Sequence, residues 1–272
     1  TVAGRAMRHY PGGKGANQAV AAARLGGRVA FFGKVGADAY GEQLLAAMRA
    51  DGVDVRGVET TADASTGTAS IWVEETGENA IACVPGANGA VDAEYVDRVL
   101  PEIAAARVLL LQLEIPIEAV THLLRRLPKK RPLVVLDPAP ARSLSRLPLD
   151  RVDVLTPNET ELRSLAGVSD MERAARDLLA GGVGAVVCKA GECGAIWYGP
   201  TVKKVPAFRV RVVDTTAAGD AFNGALAVAL ADRPFEEAVR FANAAGALAA
   251  TKRGAQPSLP CRAEVDALLA GA

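Results

Sequence analysis

The stretch Val108-Leu109-Leu110-Leu111-Gln112-Leu113-Glu114-Ile115-Pro116 decides the fold: an apolar run too short for a helix ends in polar residues, and a proline then opens a helical pattern. The same phrase recurs downstream. Leu133 to Asp137, Val152 to Thr156 and Ala185 to Lys189 read as short apolar strands, and helical periodicity fills Pro116 to Leu127, Glu159 to Leu165 and Met171 to Ala180. Strands without polar alternation are covered on both faces, so the pattern predicts a mostly parallel sheet between layers of helices. A hairpin through Gly194 to Val205 adds antiparallel strands. Helices at Ala218 to Leu230, at Phe235 to Thr251 and from Arg262 to Leu269 complete the pattern.

Working back toward the N-terminus, Pro11-Gly12-Gly13-Lys14-Gly15-Ala16-Asn17-Gln18 leads into the alanine-rich helix Ala19 to Leu25, closed by Gly26-Gly27. Its glycines fit neither the Walker A spacing nor the dinucleotide fingerprint, so a ligand loop and a plain glycine turn both remain open on spacing alone. Arg28 to Gly33 is expected as a buried strand and Tyr40 to Asp51 as an amphipathic helix. A strand from Gly67 to Glu75, turned by Thr76-Gly77-Glu78-Asn79 into Ala80 to Val84, predicts a β-hairpin. Its apolar Ile71, Val73, Ile81 and Val84 need a partner surface, because two-stranded sheets are rarely stable alone.

At 272 residues and 50% hydrophobic content the chain can bury a substantial core. Thirty-one basic residues balance thirty-one acidic ones, so no global field draws in nucleic acid or an anionic membrane, and neither is an expected partner. An anionic ligand must be held locally. No apolar run reaches membrane-spanning length and no signal-peptide plan is present, which makes the cytoplasm the expected compartment. Cys83, Cys188, Cys193 and Cys261 form no C-x-x-C pair and only His9 and His122 supply imidazole, so reduced thiols are expected rather than a zinc site.

In sheets of this kind ligands collect beyond the carboxyl ends of the strands. Gln112-Leu113-Glu114, Asp137-Pro138-Ala139-Pro140, Thr156-Pro157-Asn158-Glu159-Thr160-Glu161 and Lys189-Ala190-Gly191-Glu192-Cys193-Gly194 all fall there and line one rim. Singly, Asp137 and Asn158 also read as turn or N-cap residues. The chemistry concentrates in Val213-Asp214-Thr215-Thr216-Ala217-Ala218-Gly219-Asp220-Ala221-Phe222-Asn223-Gly224, where small residues run into a long helix. A helix start leaves N–H groups unpaired and partly positive, so Ala217, Ala218, Gly219 and Asp220 can cradle a phosphoryl group as its charge builds. Asp220 in that first turn can accept a proton from an attacking hydroxyl; a carboxylate merely favoured by the helix dipole is the alternative.

Gly12-Gly13-Lys14-Gly15-Ala16-Asn17-Gln18-Ala19 resembles the N-terminal signature of the PfkB-type sugar kinases, and Asp214 through Gly224 resembles their C-terminal signature. Within the family the chain reads most like the ribokinase branch, through Gln112-Leu113-Glu114, Asp137-Pro138-Ala139-Pro140-Ala141-Arg142, Thr156 to Glu161 and Lys252-Arg253-Gly254-Ala255-Gln256-Pro257-Ser258. The resemblance runs from about Thr1 to Leu269. It implies a single ribokinase-like domain over residues 1–272, a three-layer α/β/α sandwich with a mostly parallel central sheet. A small β-sheet lid from about 1–11 and 65–86 completes it, and two lids pair into a homodimer.

The implied activity is ATP-dependent phosphorylation of D-ribose to ribose 5-phosphate, the partners being a small-molecule sugar and ATP, with Mg2+ and K+ as cofactors. Asp220 is then the general base, and Ala217, Ala218 and Gly219 form the anion hole. Gly13, Lys14, Asn17 and Glu114 bind the sugar. Asn158 and the segment Lys189, Ala190, Gly191, Glu192, Cys193 and Gly194 match nucleotide-binding positions, as do Gly219 and Asn243, the glycines at 191 and 194 carrying the segment's match. Glu161 influences magnesium indirectly, through water. Potassium positions are Asp214, Thr216, Ala249, Lys252, Gly254 and Ser258, several through backbone carbonyls, Lys252 by its carbonyl alone. The chain departs from the family in lacking the opening strand with a Gly-Ser-x-Asn-x-Asp motif. The expectation that follows is a trimmed form of an active kinase, weak or inactive by itself. Two alternatives accompany the ribose reading: another PfkB-type sugar or nucleoside kinase, and a non-catalytic homologue that binds nucleotide through Gly191, Gly194 and Asn243.

Overall fold

The structure, a computed structural model, describes residues 6–73 and 79–271. Residues 1–5 of the expected lid and residues 74–78 of the expected hairpin lie outside them, as do the side chains of Val73 and Ile81. In chain order come α1 (Lys14–Arg24), β1 (Ala30–Gly36), α2 (Ala39–Ala50), β2 (Asp54–Thr61), β3 (Thr68–Val73), β4 (Asn79–Val84) and α3 (Ala93–Ala104). The strand and helix rhythm follows: β5 (Val108–Leu111), α4 (Ile117–Arg126), β6 (Leu133–Leu136), β7 (Val154–Leu155), α5 (Glu159–Ala166), α6 (Met171–Ala180), β8 (Ala185–Lys189), β9 (Ala195–Tyr198) and β10 (Val202–Val205). Helices α7 (Ala218–Ala229), α8 (Phe235–Ala249) and α9 (Arg262–Ala270) end it.

The central sheet has the order β10-β9-β8-β7-β6-β5, parallel from β5 to β8 and antiparallel from β8 through β10. Side chains alternate across it and each face has its own core. Val134, Leu136, Leu155, Val186 and Cys188 pack with residues of α3 to α6, whereas Val135, Val154 and Val187 pack under α7, α8 and α9. These are three layers, and the continuous apolar strands are what permit burial from both sides. A third cluster joins α1 and α2 to Val53, Val55 and Ala221. Strand β7 is shorter than the expected Val152 to Thr156, although Asp153 N to Val134 O at 3.0 Å and Thr156 N to Leu136 O at 2.9 Å continue its ladder.

One local expectation is corrected, and two elements are additions. The first strand lies at Ala30–Gly36 rather than Arg28 to Gly33, and is largely half-exposed rather than buried. Among the described residues it pairs only with β2, in parallel, and a Cβ on Gly36 would stand 2.4 Å from Thr66 N, so that glycine belongs to the packed end of the strand. Strand β2 and helix α3 were not anticipated. Asp54, Arg56 and Glu59 break the apolar pattern of the one, and Pro101 interrupts the helical signal of the other.

β3 and β4 form the expected antiparallel hairpin, with Ile71 paired to Ile81 and Thr68 to Val84. Ile71, Trp72 and Val84 are 50%, 63% and 57% exposed; Trp72 and Val84 share one face of the hairpin and Ile71 lies on the other, with no cover among the described residues. Among the described residues no helix is long and apolar enough to cross a membrane.

Candidate active site

Asp220 sits in the first turn of α7, and the chain enters that helix through Ala217 at φ 59°, the sole non-glycine residue with a positive φ among those described. An alanine held in the left-handed region costs roughly 1–2 kcal/mol, and it turns the preceding backbone so that the first N–H groups of the helix face one direction. A Cβ on Gly219 would meet nothing closer than Lys189 Nζ at 3.7 Å, so the helix start is open to an approaching group. Ala217, Ala218 and Gly219, the residues expected to form an anion hole, are the small residues of this helix start.

Helix α1 supplies the other wall. Gly13 at φ 88° begins it, and Lys14 N donates to Glu114 Oε2 at 2.8 Å, which brings the end of β5 to the helix start. Asn17 Nδ2 donates to Asp220 Oδ2 and Gln18 Nε2 to Asp220 Oδ1, each at 2.9 Å. The same Gln18 Nε2 donates to Asp137 Oδ2 at 2.9 Å, and Gln18 Oε1 accepts from Gln112 Nε2. Asp137 is anchored in turn by Lys189 Nζ at 2.9 Å. Among the described residues Asn17 Oδ1 finds no donor. A glycine makes the α1 to α7 contact possible, since a Cβ on Gly224 would lie 2.6 Å from Gln18 O.

Electrostatics follow from this crowding. Burial raises the Asp220 carboxyl above its ordinary range; Lys14 and the bonds from Asn17 and Gln18 oppose the shift, and Asp137 adds to it. Glu114 is also raised, by burial first, with Lys14 opposing. Lys14 loses proton affinity to burial but regains more from Asp220, Asp137, Glu114 and Glu161, and ends above its ordinary value. The site is a buried set of carboxylates with lysines among them.

Along the rim, Asn158 caps α5: its side chain accepts from Glu161 N at 2.8 Å while Glu161 Oε2 accepts from Asn158 N at 2.8 Å. Both residues expected at the magnesium and nucleotide positions are thus helix-capping residues here, with Asn158 Nδ2 and Glu161 Oε1 free of that box. Asn158→Ala is expected to lower stability by about 1 kcal/mol, a fall in Tm of roughly 2–4 °C by thermal unfolding. An unchanged Tm would show that the cap contributes nothing.

Lys189 closes β8, its N–H bonded to Pro157 O at 2.8 Å, and the next residues form a tight turn in which Ala190 N reaches Gly194 O at 2.8 Å. Gly191, Glu192 and Cys193 are exposed at its tip. Gly194 has φ 89° and a Cβ there would stand 2.2 Å from Val205 O, so the turn lies directly against the end of β10. Asn243 faces the same strand end: its Nδ2 donates to Val205 O at 3.0 Å and Pro206 O at 3.2 Å.

Behind α7, Asp214 ties two segments together. Its Oδ1 accepts from Thr216 N at 2.9 Å and its Oδ2 from Gly254 N at 3.0 Å. Burial raises its carboxyl, but those bonds and Arg253 outweigh it and leave the group more acidic than usual. Lys252 Nζ is held by Glu264 Oε1 at 2.6 Å, and buried Ser258 turns its Oγ to Ala255 O at 2.8 Å. Asp214, Thr216 and Gly254 are therefore in direct contact. Ala249, Lys252 and Ser258 lie on the helix end and loop that lead into and out of Gly254, not in bonded contact with Asp214. Sequence reasoning missed the sharing of Gln18 between Asp137 and Asp220 and the bond from Lys189 to Asp137. No local signal carries these contacts, which join residues 119, 202 and 52 positions apart.

Known proteins resemble this chain over nearly its whole length. The profile described as pfkB family carbohydrate kinase matches residues 1–262. Ribokinase of Bacillus subtilis (strain 168) is 41% identical over 272 residues, covering 99% of this chain and 91% of the relative. Ribokinase of Haemophilus influenzae (strain ATCC 51907 / DSM 11121 / KW20 / Rd) is 40% identical over 272 residues, covering 97% and 89%. Among solved structures, Arabidopsis thaliana ribokinase complexed with ribose and ATP superposes with a TM-score of 0.93 at 34% identity, covering 99% of this chain and 90% of that one. An E. coli putative ribokinase II in complex with ATP and Mg2+ superposes with a TM-score of 0.85 at 26% identity, covering 97% and 90%.

Proposed function

The chain belongs to the pfkB family of carbohydrate kinases, and from that premise we propose that it transfers the terminal phosphoryl group of ATP to the primary hydroxyl of D-ribose, giving ribose 5-phosphate. The observation that carries the reading is a buried carboxylate, Asp220, in the first turn of a helix whose start is open over Gly219. A base and an anion-stabilising cradle side by side are what in-line phosphoryl transfer asks of a protein.

Asp220 takes the hydroxyl proton as the oxygen attacks, and Asn17 and Gln18 fix its carboxylate so that one orientation is presented. Ala217, Ala218 and Gly219 offer their backbone to the charge that builds on the phosphoryl oxygens. Gly13, Lys14, Asn17 and Glu114 hold the sugar. The unpartnered Asn17 Oδ1 beside the base suits a sugar hydroxyl as donor. Asn158, the turn Lys189 to Gly194 and Asn243 frame the nucleotide. ATP is used with Mg2+, and Glu161, whose Oε1 is free of the capping box, acts on that ion through water. Magnesium, when bound, neutralises charge between the phosphates.

We assign a K+ site to Asp214, Thr216, Ala249, Lys252, Gly254 and Ser258. It is supported by the contact of Asp214 with Thr216 and Gly254 and by an acidic carboxylate in a loop rich in carbonyls. The hairpin β3–β4 forms a lid, and its exposed Trp72 and Val84, which share one face, suit a homodimer contact between two lids. A cytoplasmic location accords with this chemistry.

A coupled assay of ADP release with ribose, deoxyribose, fructose and adenosine, in potassium and in sodium, tests the whole reading. Ribose is expected to turn over fastest, and several-fold faster in potassium. Equal or absent turnover with every acceptor, in folded protein that binds ATP, overturns it.

A further inference from the structure

Asp137 lies at the end of β6 and is 1% exposed, so its charge is taken out of water. Its two oxygens are used differently: Oδ1 accepts from Lys189 Nζ at 2.9 Å, and Oδ2 accepts from Gln18 Nε2 at 2.9 Å. That Gln18 nitrogen also donates to Asp220 Oδ1 at 2.9 Å. One amide nitrogen, with two hydrogens, therefore spans two buried carboxylates. Like charges this close repel, and the cation on Asp137 offsets one of them. Lys189 is itself held in an unusual place, because its ammonium is 3.7 Å from where a Cβ on Gly219 would be, at the positive end of α7. The helix dipole disfavours a cation there, so Asp137 is the group that keeps it in position.

We propose that Asp137 and Lys189 are a positioning pair for phosphoryl transfer: Asp137 orients Gln18 and thereby the Asp220 carboxylate, and Lys189 balances Asp137 so that the base keeps its charge in a buried setting. The inference rests on Asp220 being the base. The charged groups that act on Asp220 are Lys14 from α1, Glu114 beyond β5 and Asp137 beyond β6; Lys189 at the end of β8 is held by Asp137, and Glu161 of α5 acts on Lys14. Removing one member of the pair unbalances that set, and the two removals do so in opposite directions.

The test is a cycle of Asp137→Asn, Lys189→Met and the double variant in the full chain, read in two ways. One is the acid limb of kcat/KM for the sugar. The other is the carboxyl-carbon NMR titration of 13C-labelled aspartates in the free enzyme, with the Asp220 signal assigned by its loss in Asp220→Asn. Asp137→Asn is expected to move both readouts to lower pH by about one unit or more, Lys189→Met to move them up by a similar amount, and the double variant to return close to the parent. A merely structural pair would weaken all three variants alike without opposite shifts. Single variants that move together, or an Asp220 titration unmoved in folded Asp137→Asn, overturn the proposal. Should Lys189→Met fail to fold, Asp137→Asn alone decides it. The NMR titration needs no turnover, so it separates failure of this pair from failure of the ribose reading or of Asp220 as base.

Discussion

Asp220→Asn is expected to lose about a thousandfold in kcat for ribose phosphorylation while the Kd for ATP stays within about twofold. The amide fills the same space and can still accept from Asn17 or Gln18, but it cannot take a proton at any working pH. Binding and chemistry are thereby separated. The parent's pH profile carries the same information. A base must be ionised, and burial has raised the Asp220 carboxyl, so activity should fall on the acid side at a pH above the ordinary carboxylate value of about 3.9. Stability has the opposite sign. A carboxyl whose folded pKa exceeds its unfolded one stabilises the fold below the unfolded pKa and loses that contribution as pH rises through the folded value. Asp220→Asn has no such group, so its Tm should gain on the parent's as pH rises from about 4 to neutrality. Unimpaired turnover in the variant would remove Asp220 from the base role, and a parallel Tm profile for the two proteins would show that burial does not raise its carboxyl.

What was readable in the chain follows from how far each signal had to travel. The rhythm from Val108 to Lys189 is legible because strands buried on both faces show no polar alternation, and the sheet has the predicted parallel run with an antiparallel edge. β2 was hidden by Asp54, Arg56 and Glu59, whose side chains reach solvent from a two-stranded pair that needs no continuous apolar run. The helix start at Asp220 and the glycine-led α1 are local patterns and were visible as such. Gln18 between Asp137 and Asp220 was not, since nothing near residue 18 reports on what the fold brings to it. Asn158 and Glu161 illustrate a different limit: the N-x-x-E spacing is at once a ligand motif and a capping box, and the structure uses it as the latter while leaving an atom of each residue free.

Gly224→Ala is expected to destabilise the protein and impair catalysis together, although alanine is the better helix former. In an exposed helix interior the exchange would gain about 1 kcal/mol. Here a Cβ would lie 2.6 Å from Gln18 O, 2.7 Å from Ala21 Cβ and 2.9 Å from Ala22 N, and two of those three are backbone atoms of α1 that no rotamer change can move. Relief requires α7 to back away from α1 by several tenths of an ångström. Overpacking of this kind costs typically about 1–3 kcal/mol, and contacts this short against backbone lie at its upper end, so the net loss should be up to about 2 kcal/mol once the propensity gain is subtracted. The displaced atoms belong to the turn of α1 that carries Gln18, and Asn17 and Gln18 are the residues whose 2.9 Å bonds hold Asp220. A shift small enough to leave the fold intact would therefore lengthen both bonds and release the carboxylate from its one presented orientation. Because positioning is most of what the site supplies, kcat should fall by about a hundredfold with little change in the Kd for ATP. A variant that unfolds several degrees lower yet turns over at the parent's rate would show that the approach of α1 to α7 is a matter of packing alone, and that Asp220 does not depend on α1 for its orientation.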